Sequence, residues 1–233
     1  MTLAGPKPTW LTFDCYGTLI QWDEGLLAAM AKILSAKRGD IDQKAFISVY
    51  DRHEHALEEE RPHRTFAEVS ALSLQRAMDE CGLPFDPSDA EVLTSSIGRM
   101  PPFPEVVSTL ATLKAAGFSL AIISNTDDAI IAGNVAQLGG HIDHVFTAEQ
   151  ARAYKPTEQI FHHAWKTLGI GIDSLVHICA SPHLDLAAAR QLHFRTVWVD
   201  RGTGRKPTAD YSPDETVPAL DKVPALLAAA GWM

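Results

Sequence analysis

Cysteine is scarce in this sequence, and the few cysteines lie far apart. Cys15, Cys81 and Cys179 are the only thiols among 233 residues, which is too few and too scattered for a disulfide framework or a zinc site. Cys15 and Cys179 lie in apolar runs, where a thiol is more often a buried side chain than a nucleophile. The chain is therefore not expected to be held together by disulfides or by a structural metal.

Excess positive charge and long apolar runs are also lacking. The chain has 20 Lys and Arg against 29 Asp and Glu, a net charge of -9, whereas a nucleic-acid footprint needs clustered basic residues. No apolar run is long enough to span a membrane, and Pro6 and Pro8 interrupt any early run that would act as a signal peptide. These absences predict a cytoplasmic protein that binds neither nucleic acid nor membrane.

What the sequence does contain is the composition of a globular protein and one informative stretch near its start. It is 46% hydrophobic and 21% charged, and its length suits one large domain or a core domain with an insertion. Residues 10–13 are apolar and β-prone, and Asp14 follows them directly. The pattern predicts a buried parallel strand that ends in a carboxylate and a tight turn at Gly17. Taken alone, Asp14 would more often start a turn or cap a helix.

The rest of the chain falls into a helical region and an alternating region. Helix-favouring residues with apolar side chains at helical spacing dominate from about residue 23 to 96, and prolines at 84, 87, 101, 102 and 104 punctuate the end of that region. Beyond it, strands and helices alternate, which implies parallel pairing with right-handed crossovers. We therefore predict an α/β protein with a Rossmann-like, doubly wound parallel core formed by residues 1–21 and 101–233. A helical cap formed by residues 22–100 is inserted after the first strand. The predicted later strands are 118–123, 144–146, 175–179 and 196–199, and the predicted later helices are 106–116, 127–138, 156–168, 186–192 and 217–230.

Polar clusters follow four of the predicted strands. They comprise residues 14–18, residues 124–126, Lys155, and residues 181–185. The carboxyl ends of parallel strands meet at one edge of a sheet, so these clusters should converge. Each alone has a structural explanation: a helix cap for 124–126, a solvated loop lysine for Lys155, and a first-turn acid for Asp185. Together they supply a nucleophile, an anion cradle, a charge partner and a base.

The same residues carry a family resemblance. Residues 13–19, 123–125, 154–156 and Asp185 resemble the four motifs of the haloacid dehalogenase superfamily, and the resemblance covers nearly the whole chain. Phosphatases of that superfamily place a second Asp two residues after the nucleophile, where this chain has Tyr16. The form with Tyr is similar to the L-2-haloacid dehalogenase branch, which needs no metal. The resemblance therefore implies a hydrolase with no cofactor and no metal, acting on a small carboxylic acid, and a homodimer.

The resemblance also implies roles for residues. Asp14 would attack C2 of a 2-substituted acid and form an ester, Lys155 would keep Asp14 ionised, and Asp185 would activate the hydrolytic water. Thr18 is counted among the catalytic residues and, with Ser124 and neighbouring backbone N–H groups, is a candidate to hold the substrate carboxylate. Asn125 would donate a hydrogen bond to the departing group. The other candidate substrate-binding residues are Cys15, Tyr16, Trp22, Arg52, Ser181 and His183.

The chain departs from the dehalogenase pattern around the leaving group. At the fourth motif, Pro182 replaces an Asn, Leu184 replaces an aromatic residue, and His183 is new. The cap arginine beside the halide has no clean match, with Arg52 and Arg64 as candidates. The sequence thus favours (S)-2-haloacid dehalogenation but leaves open the same chemistry on a C–N bond, as in ring opening of an azetidine-2-carboxylate-like amino acid.

Two hypotheses that assign the protein to other functional classes also stay open at this point. One is a metal-dependent phosphatase that uses another acid, although Tyr16 and the shortage of further carboxylates near Asp14 argue against it. The other is a catalytically silent binding protein on the same fold, because a fold does not determine function.

Overall fold

In the computed structural model, which describes residues 3–37 and 41–233, six parallel strands form a single sheet. The strand order is β3-β2-β1-β4-β5-β6. The strands are β1 (Trp10–Phe13), β2 (Ser119–Ser124), β3 (His144–Thr147), β4 (Leu175–Cys179), β5 (Thr196–Val199) and β6 (Glu215–Val217). This architecture confirms the predicted doubly wound α/β class.

Strand β1 lies at the centre of the sheet, between β2 and β4. Phe13, its last residue, is in register with Ile122 of β2 and Ile178 of β4, and the side chains of all three are fully buried. Helices cover both faces of such a sheet, which is why its strands read as continuous apolar runs. The chain adds β2 on one side of β1 and β4 on the other, so the crevice at the carboxyl end of β1 is the expected ligand site.

Ten helices accompany these strands in the described part of the chain. They are α1 (Trp22–Leu34), α2 (Gln43–Glu59), α3 (Phe66–Glu80), α4 (Pro87–Ile97), α5 (Val106–Ala115), α6 (Asp128–Val135), α7 (Ala148–Ala151), α8 (Glu158–Leu168), α9 (Ala187–Leu192) and α10 (Val223–Ala229). None of them, within the described residues, combines the length and the apolarity needed to cross a membrane.

The first four helices form one block between β1 and α5. The two connections between this block and the sheet run side by side: the N–H of Gln21 donates to the carbonyl of Pro101 (3.0 Å), and the N–H of Phe103 donates to the carbonyl of Leu19 (3.0 Å). Residues 38–40 of the predicted helical stretch lie outside the described residues. The division into a core domain and a cap domain at residues 22–100 stays a prediction.

Polar contacts join the helical block to the carboxyl edge of the sheet. Asp127, which follows β2, accepts hydrogen bonds from the N–H groups of Phe66 (2.7 Å) and Ala67 (2.8 Å) at the start of α3. An anion is stabilised at such a helix N-terminus. The Tyr154 hydroxyl donates to the carbonyl of Arg64 (2.9 Å). These contacts help to hold α2 and α3 over the strand ends.

Two elements differ from the sequence prediction. Pro87 does not end the helical region but opens α4, where its fixed φ suits the first helical position, and Asp86 caps that helix. Val217 does not begin the last helix; it ends β6, in register with Val199 of β5. Alternation in a strand of three residues is too short to detect by periodicity, and the pairing with β5 determines its conformation.

Candidate active site

A buried ammonium joins two carboxylates at the carboxyl edge of the sheet. The Nζ atom of Lys155 lies 2.7 Å from Oδ1 of Asp14 and 2.9 Å from Oδ1 of Asp185. The Lys155 and Asp185 side chains are inaccessible to solvent, and that of Asp14 is 7% exposed. Three residues separated by up to 171 positions therefore form one charge cluster, as the convergence of the strand ends predicts.

The turn after β1 holds Asp14 from its other side. Gly17 has φ +81°, a conformation that glycine adopts without strain. It allows Thr18 to fold back so that its hydroxyl donates to Oδ2 of Asp14 (2.7 Å) and accepts from the N–H of Ala180 (2.8 Å). The Thr18 side chain is fully buried and does not line the cavity. The Thr18 hydroxyl thus orients Asp14, and the expectation that Thr18 holds the substrate carboxylate stays a prediction.

The pKa values in this cluster follow from burial and from the shared ammonium. Burial raises the pKa of Asp14, Lys155 opposes that rise, and Asp185 adds to it. Burial works in the same direction on Asp185, but Lys155 and His177 outweigh it and lower the pKa of Asp185 below its usual value. Burial alone would lower the pKa of Lys155, yet the two carboxylates raise it above the ordinary lysine value. The ammonium thus stays charged at neutral pH.

His177 was not singled out in the sequence, although it belongs to this cluster. It lies in the middle of β4, and its Nε2 is 2.8 Å from Oδ1 of Asp185 while its Nδ1 is 2.8 Å from the Thr12 hydroxyl. A histidine inside an otherwise apolar buried strand was the available signal. The ring holds Asp185 so that Oδ2 of Asp185 has no hydrogen-bond partner among the described residues.

The cluster also includes a set of atoms spaced as metal ligands. Ligand atoms of His177, Cys179 and Asp185 all lie within 4.8 Å of one another. The positive partner of Asp185 at this place is the Lys155 ammonium, and burial raises the pKa of the Cys179 thiol well above its ordinary value. A divalent cation here would lie close to the Lys155 ammonium and would have to deprotonate the Cys179 thiol, so the residues do not suit a metal.

A cavity of about 190 Å³ opens above Asp14, between the strand ends and the helical block. Besides Asp14 and Lys155, six of the candidate substrate-binding residues line it: Tyr16, Trp22, Ser124, Asn125, Ser181 and His183. Leu184, which departs from the dehalogenase pattern, lines it as well. The Tyr16 hydroxyl donates to Oδ1 of Asn134 (3.0 Å), so it points away from Asp14.

Ser124 and Asn125 lie side by side at the end of β2. Asn125 clamps the backbone of Lys155, accepting from its N–H (2.7 Å) and donating to its carbonyl (3.1 Å). The Ser124 side chain is buried and its hydroxyl has no hydrogen-bond partner among the described residues. A buried hydroxyl without a partner costs free energy, which indicates that a ligand group satisfies it.

Two predicted substrate-binding residues lie away from the cavity. Arg52 is on the outer side of α2, where it pairs with Glu80 (2.6 Å) and is more than half exposed. The Cys15 thiol is buried beneath the turn and does not line the cavity. The structure places neither side chain at the cavity, and the assignment of Arg52 and Cys15 to substrate binding stays a prediction. Arg64, the other candidate for a halide ligand, pairs with Glu60 (2.7 Å) and also lies outside the cavity lining.

The helical block contributes acidic residues that the sequence analysis did not identify. Asp51, Glu54, His55 and Glu58 of α2 line the cavity, and Arg205 reaches it from the loop between β5 and β6. Residues four apart on a helix share a face. The acids at 54 and 58 therefore carried a signal, but the sequence did not show which face of α2 meets the sheet.

Comparison with known proteins agrees with this geometry. A family model described as haloacid dehalogenase-like hydrolase matches residues 9–193. Haloacetate dehalogenase H-2 of Moraxella sp. (strain B) is 30% identical over 165 residues, covering 70% of this chain and 73% of the relative. The (S)-2-haloacid dehalogenase of Pseudomonas sp. (strain YL) is 28% identical over 167 residues, covering 71% and 72%.

Solved structures share the fold. The L-2-haloacid dehalogenase from Xanthobacter autotrophicus, solved with chloropropionic acid covalently bound, superposes with a TM-score of 0.80 at 21% identity, covering 95% of this chain and 98% of that one. A dehalogenase solved with an intermediate complex gives 0.84 at 22% identity, covering 97% and 99%. With a family model that spans most of the chain and a fold common to both structures, this protein belongs to the haloacid dehalogenase-like hydrolase family.

Proposed function

We propose that this protein hydrolyses the carbon–halide bond of small (S)-2-haloacids through an ester formed on Asp14. The observation that carries the proposal is the placement of Asp14 at the base of the cavity, with one oxygen on Lys155 and the other on Thr18. A carboxylate held in one orientation beside a substrate cavity suits nucleophilic displacement. The names of the curated relatives support a halide as the leaving group.

In the first step, a carboxylate oxygen of Asp14 attacks C2 of the substrate. The new C–O bond forms as the carbon–halide bond breaks, and the halide departs with the electron pair of that bond. The partners of Asp14 stay in place, so no reorganisation is needed as its charge is lost. The unpartnered Ser124 hydroxyl, together with the N–H groups of Cys15 and Tyr16, would supply donors for the substrate carboxylate.

In the second step, water attacks the ester carbonyl carbon of Asp14 while Asp185 accepts a proton. Oδ2 of Asp185 is the oxygen left free by Lys155 and His177, which both engage Oδ1. The carbonyl–oxygen bond to the product breaks, Asp14 is regenerated, and a 2-hydroxy acid leaves. Only the first step occurs at C2, so the product has the inverted configuration.

A single turnover in ¹⁸O-labelled water with enzyme in excess tests the nucleophile. The proposal requires unlabelled product and one ¹⁸O atom on Asp14, because the oxygen transferred to C2 comes from the side chain. Asp14→Ala should abolish turnover, and Asp185→Asn should slow ester hydrolysis more than ester formation, so that the ester accumulates for mass spectrometry. Labelled product in the first turnover would mean direct attack by water and would reject Asp14 as nucleophile.

A second candidate is the same displacement at a C–N bond, as in opening a strained cyclic 2-amino acid. The observation in its favour is that α2 contributes carboxyl groups and no arginine or lysine to the lining of the cavity. Halide release from 2-haloacids and ring-opened product from azetidine-2-carboxylate, measured side by side, distinguish the two.

The phosphatase and binding-protein alternatives make different predictions. A phosphatase would lose activity to a chelator and regain it with Mg²⁺, whereas the proposed enzyme keeps its activity without added metal. A binding protein would show no turnover of any 2-substituted acid. Homodimer formation and a cytoplasmic location also stay predictions, and light scattering at micromolar concentration tests the first.

A further inference from the structure

The side of the cavity that faces Asp14 is acidic. Glu54 and Glu58 are one turn apart on α2, and both side chains line the cavity. The amide nitrogen of Asn125 lies 3.4 Å from each carboxyl oxygen of Glu58. Asn125 also clamps the backbone of Lys155, whose ammonium contacts Asp14. Glu58 is therefore linked to the nucleophile through two residues that line the same cavity.

The cations that line this cavity are engaged elsewhere. Lys155 is shared between Asp14 and Asp185. Arg205 forms a paired contact with Asp23, at 2.7 and 3.2 Å. An anionic leaving group that moved toward α2 would meet two carboxyl groups without a free positive charge, which is unfavourable if both are ionised.

Several groups determine whether Glu58 is ionised. Burial raises the pKa of Glu58 well above its ordinary value, Glu54 and Glu59 on the same helix add to the rise, and Lys155 and the Asn125 amide oppose it. Tyr154 also faces this carboxyl, since Glu58 contributes to raising the pKa of the phenol. Burial raises the pKa of Glu54 to about 7, against an opposing hydrogen bond from Tyr50. The pair therefore retains a proton near neutral pH.

A second feature of the same cavity bears on how a substrate would lie in it. Ser124 is 1% exposed, its hydroxyl has no partner among the described residues, and it lines the cavity together with Asp14, Glu54 and Glu58. The carboxylate of a substrate would take this hydroxyl, which leaves the two acids as partners for its leaving group.

We propose that Glu58, in its protonated form, is the catalytic residue that donates a hydrogen bond to the leaving halide. The inference rests on the proposed ester chemistry of Asp14. A hydrogen bond from a neutral carboxyl group stabilises the negative charge that develops on the halide as its bond to C2 breaks.

The halide reaction balances in atoms and charge. The Asp14 oxygen bonds to C2 as the carbon–halide bond breaks, the electron pair of that bond stays on the halide, and Glu58 keeps its proton while it donates the hydrogen bond. Water then cleaves the ester as proposed above, and Asp185 accepts the proton released in that step.

The test compares the wild-type chain with Glu58→Gln, Glu58→Asp and, as a matched control, Glu59→Gln, because Glu59 is the exposed neighbour. Single-turnover ester formation is measured from pH 5 to 9 with (S)-2-chloropropionate. The wild type and Glu59→Gln should lose rate as pH rises, Glu58→Asp should keep that loss with a shifted midpoint, and Glu58→Gln should not show it, because an amide donates without ionising. Identical pH profiles in all four chains would overturn the role of Glu58.

Failure of the proposed ester chemistry is distinguishable from failure of the role of Glu58, because in that case no chain would carry substrate on Asp14 at any pH.

Discussion

The two sides of the cavity handle buried charge in opposite ways. On the sheet side, Asp14 and Asp185 share the ammonium of Lys155 at 2.7 and 2.9 Å. On the helical side, Glu54 and Glu58 face the cavity with hydrogen bonds from a phenol and an amide but with no lysine or arginine paired to them in the described residues. Carboxyl groups of one chemical type therefore meet two different environments within one small cavity.

The difference shows how an ammonium divides the acids into two roles. A buried carboxyl beside a cation can stay ionised, as a nucleophile or a base requires. A buried carboxyl without one keeps its proton, as a hydrogen-bond or proton donor requires. The pKa of Asp185 is lowered and that of Glu58 is raised well above its ordinary value, as this division requires. The pKa of Asp14 is raised by burial, and Lys155 opposes that rise.

Removing the Lys155 ammonium should have the largest effect, because the carboxyl groups on the sheet side of the cavity would then lack a positive partner, as those on the helical side do. Lys155→Met leaves two buried carboxylates without a counter-charge, so we expect activity to be lost and the free energy of unfolding to fall by about 3–5 kcal/mol. Urea denaturation at pH 7 measures the latter. Lys166→Met, a change at an exposed lysine, is the matched control, and equal stabilities of the two variants would contradict the pairing.

The Glu54 carboxyl should make stability depend on pH in the direction opposite to that of a salt-bridged acid. Its pKa is raised from 4.5 to about 7 by burial, so the folded state holds a proton that the unfolded chain releases in this window. Stability contributed by this group therefore falls as pH rises from about 4.5 to 7.

Glu54→Gln should remove this dependence. At one pKa unit per 1.36 kcal/mol, a rise from 4.5 to about 7 should make the variant more stable than the wild type by about 3 kcal/mol at pH 8 and nearly equal to it at pH 4.5. Urea titrations at the two pH values measure the difference, with Glu59→Gln as the control. A difference that is the same at both values would contradict the buried titration.

His177→Phe should weaken the charge cluster on the sheet side of the cavity while the Lys155 ammonium stays in place. The ring packs edge-on against Phe161 and Phe194, so phenylalanine keeps the packing and loses the hydrogen bonds to Thr12 and Asp185. We expect a loss of about 1–2 kcal/mol in the free energy of unfolding. Ester hydrolysis should slow more than ester formation, because Asp185 is no longer held by the ring. Equal slowing of both steps would argue against His177 acting through Asp185.

Arg52→Ala should have the smallest effect, since this residue is on the outer side of the helix that presents Glu58. Its guanidinium pairs with Glu80 in solvent, where ion pairs contribute little. We expect kcat/KM for 2-haloacids to stay within about twofold of the wild type, as for other exposed pairs remote from the site. A large loss would place Arg52 at the leaving group after all and would weaken the case for Glu58.

From the sequence we predicted the alternating strands and helices of the core and the polar residues that follow the strand ends. Asp14, Lys155 and Asp185 were found because parallel strands bring their carboxyl ends to one edge, whatever the details of packing. The same reasoning assigned Ser124 and Asn125 to the cavity. It missed β6, whose three residues take their conformation from pairing with β5 rather than from local preference.

The helical side could not be predicted in the same way. Helix α2 carries Arg52, Glu54 and Glu58 within two turns, and its sequence does not specify which of these side chains face the sheet. The sequence analysis chose the arginine because a family resemblance called for a cation, and the structure instead places the two acids at the cavity.

The sequence by itself determined the α/β class, the strand ends and the chemistry of the buried ammonium and its carboxylates, because periodicity and parallel topology are properties of the chain alone. Only the tertiary structure decided that the Thr18 hydroxyl orients Asp14, that His177 supports Asp185, and that Glu54 and Glu58 line the cavity. These assignments depend on how the helical block is rotated and docked on the sheet. That orientation arises from packing among residues far apart in the chain, which no local pattern encodes.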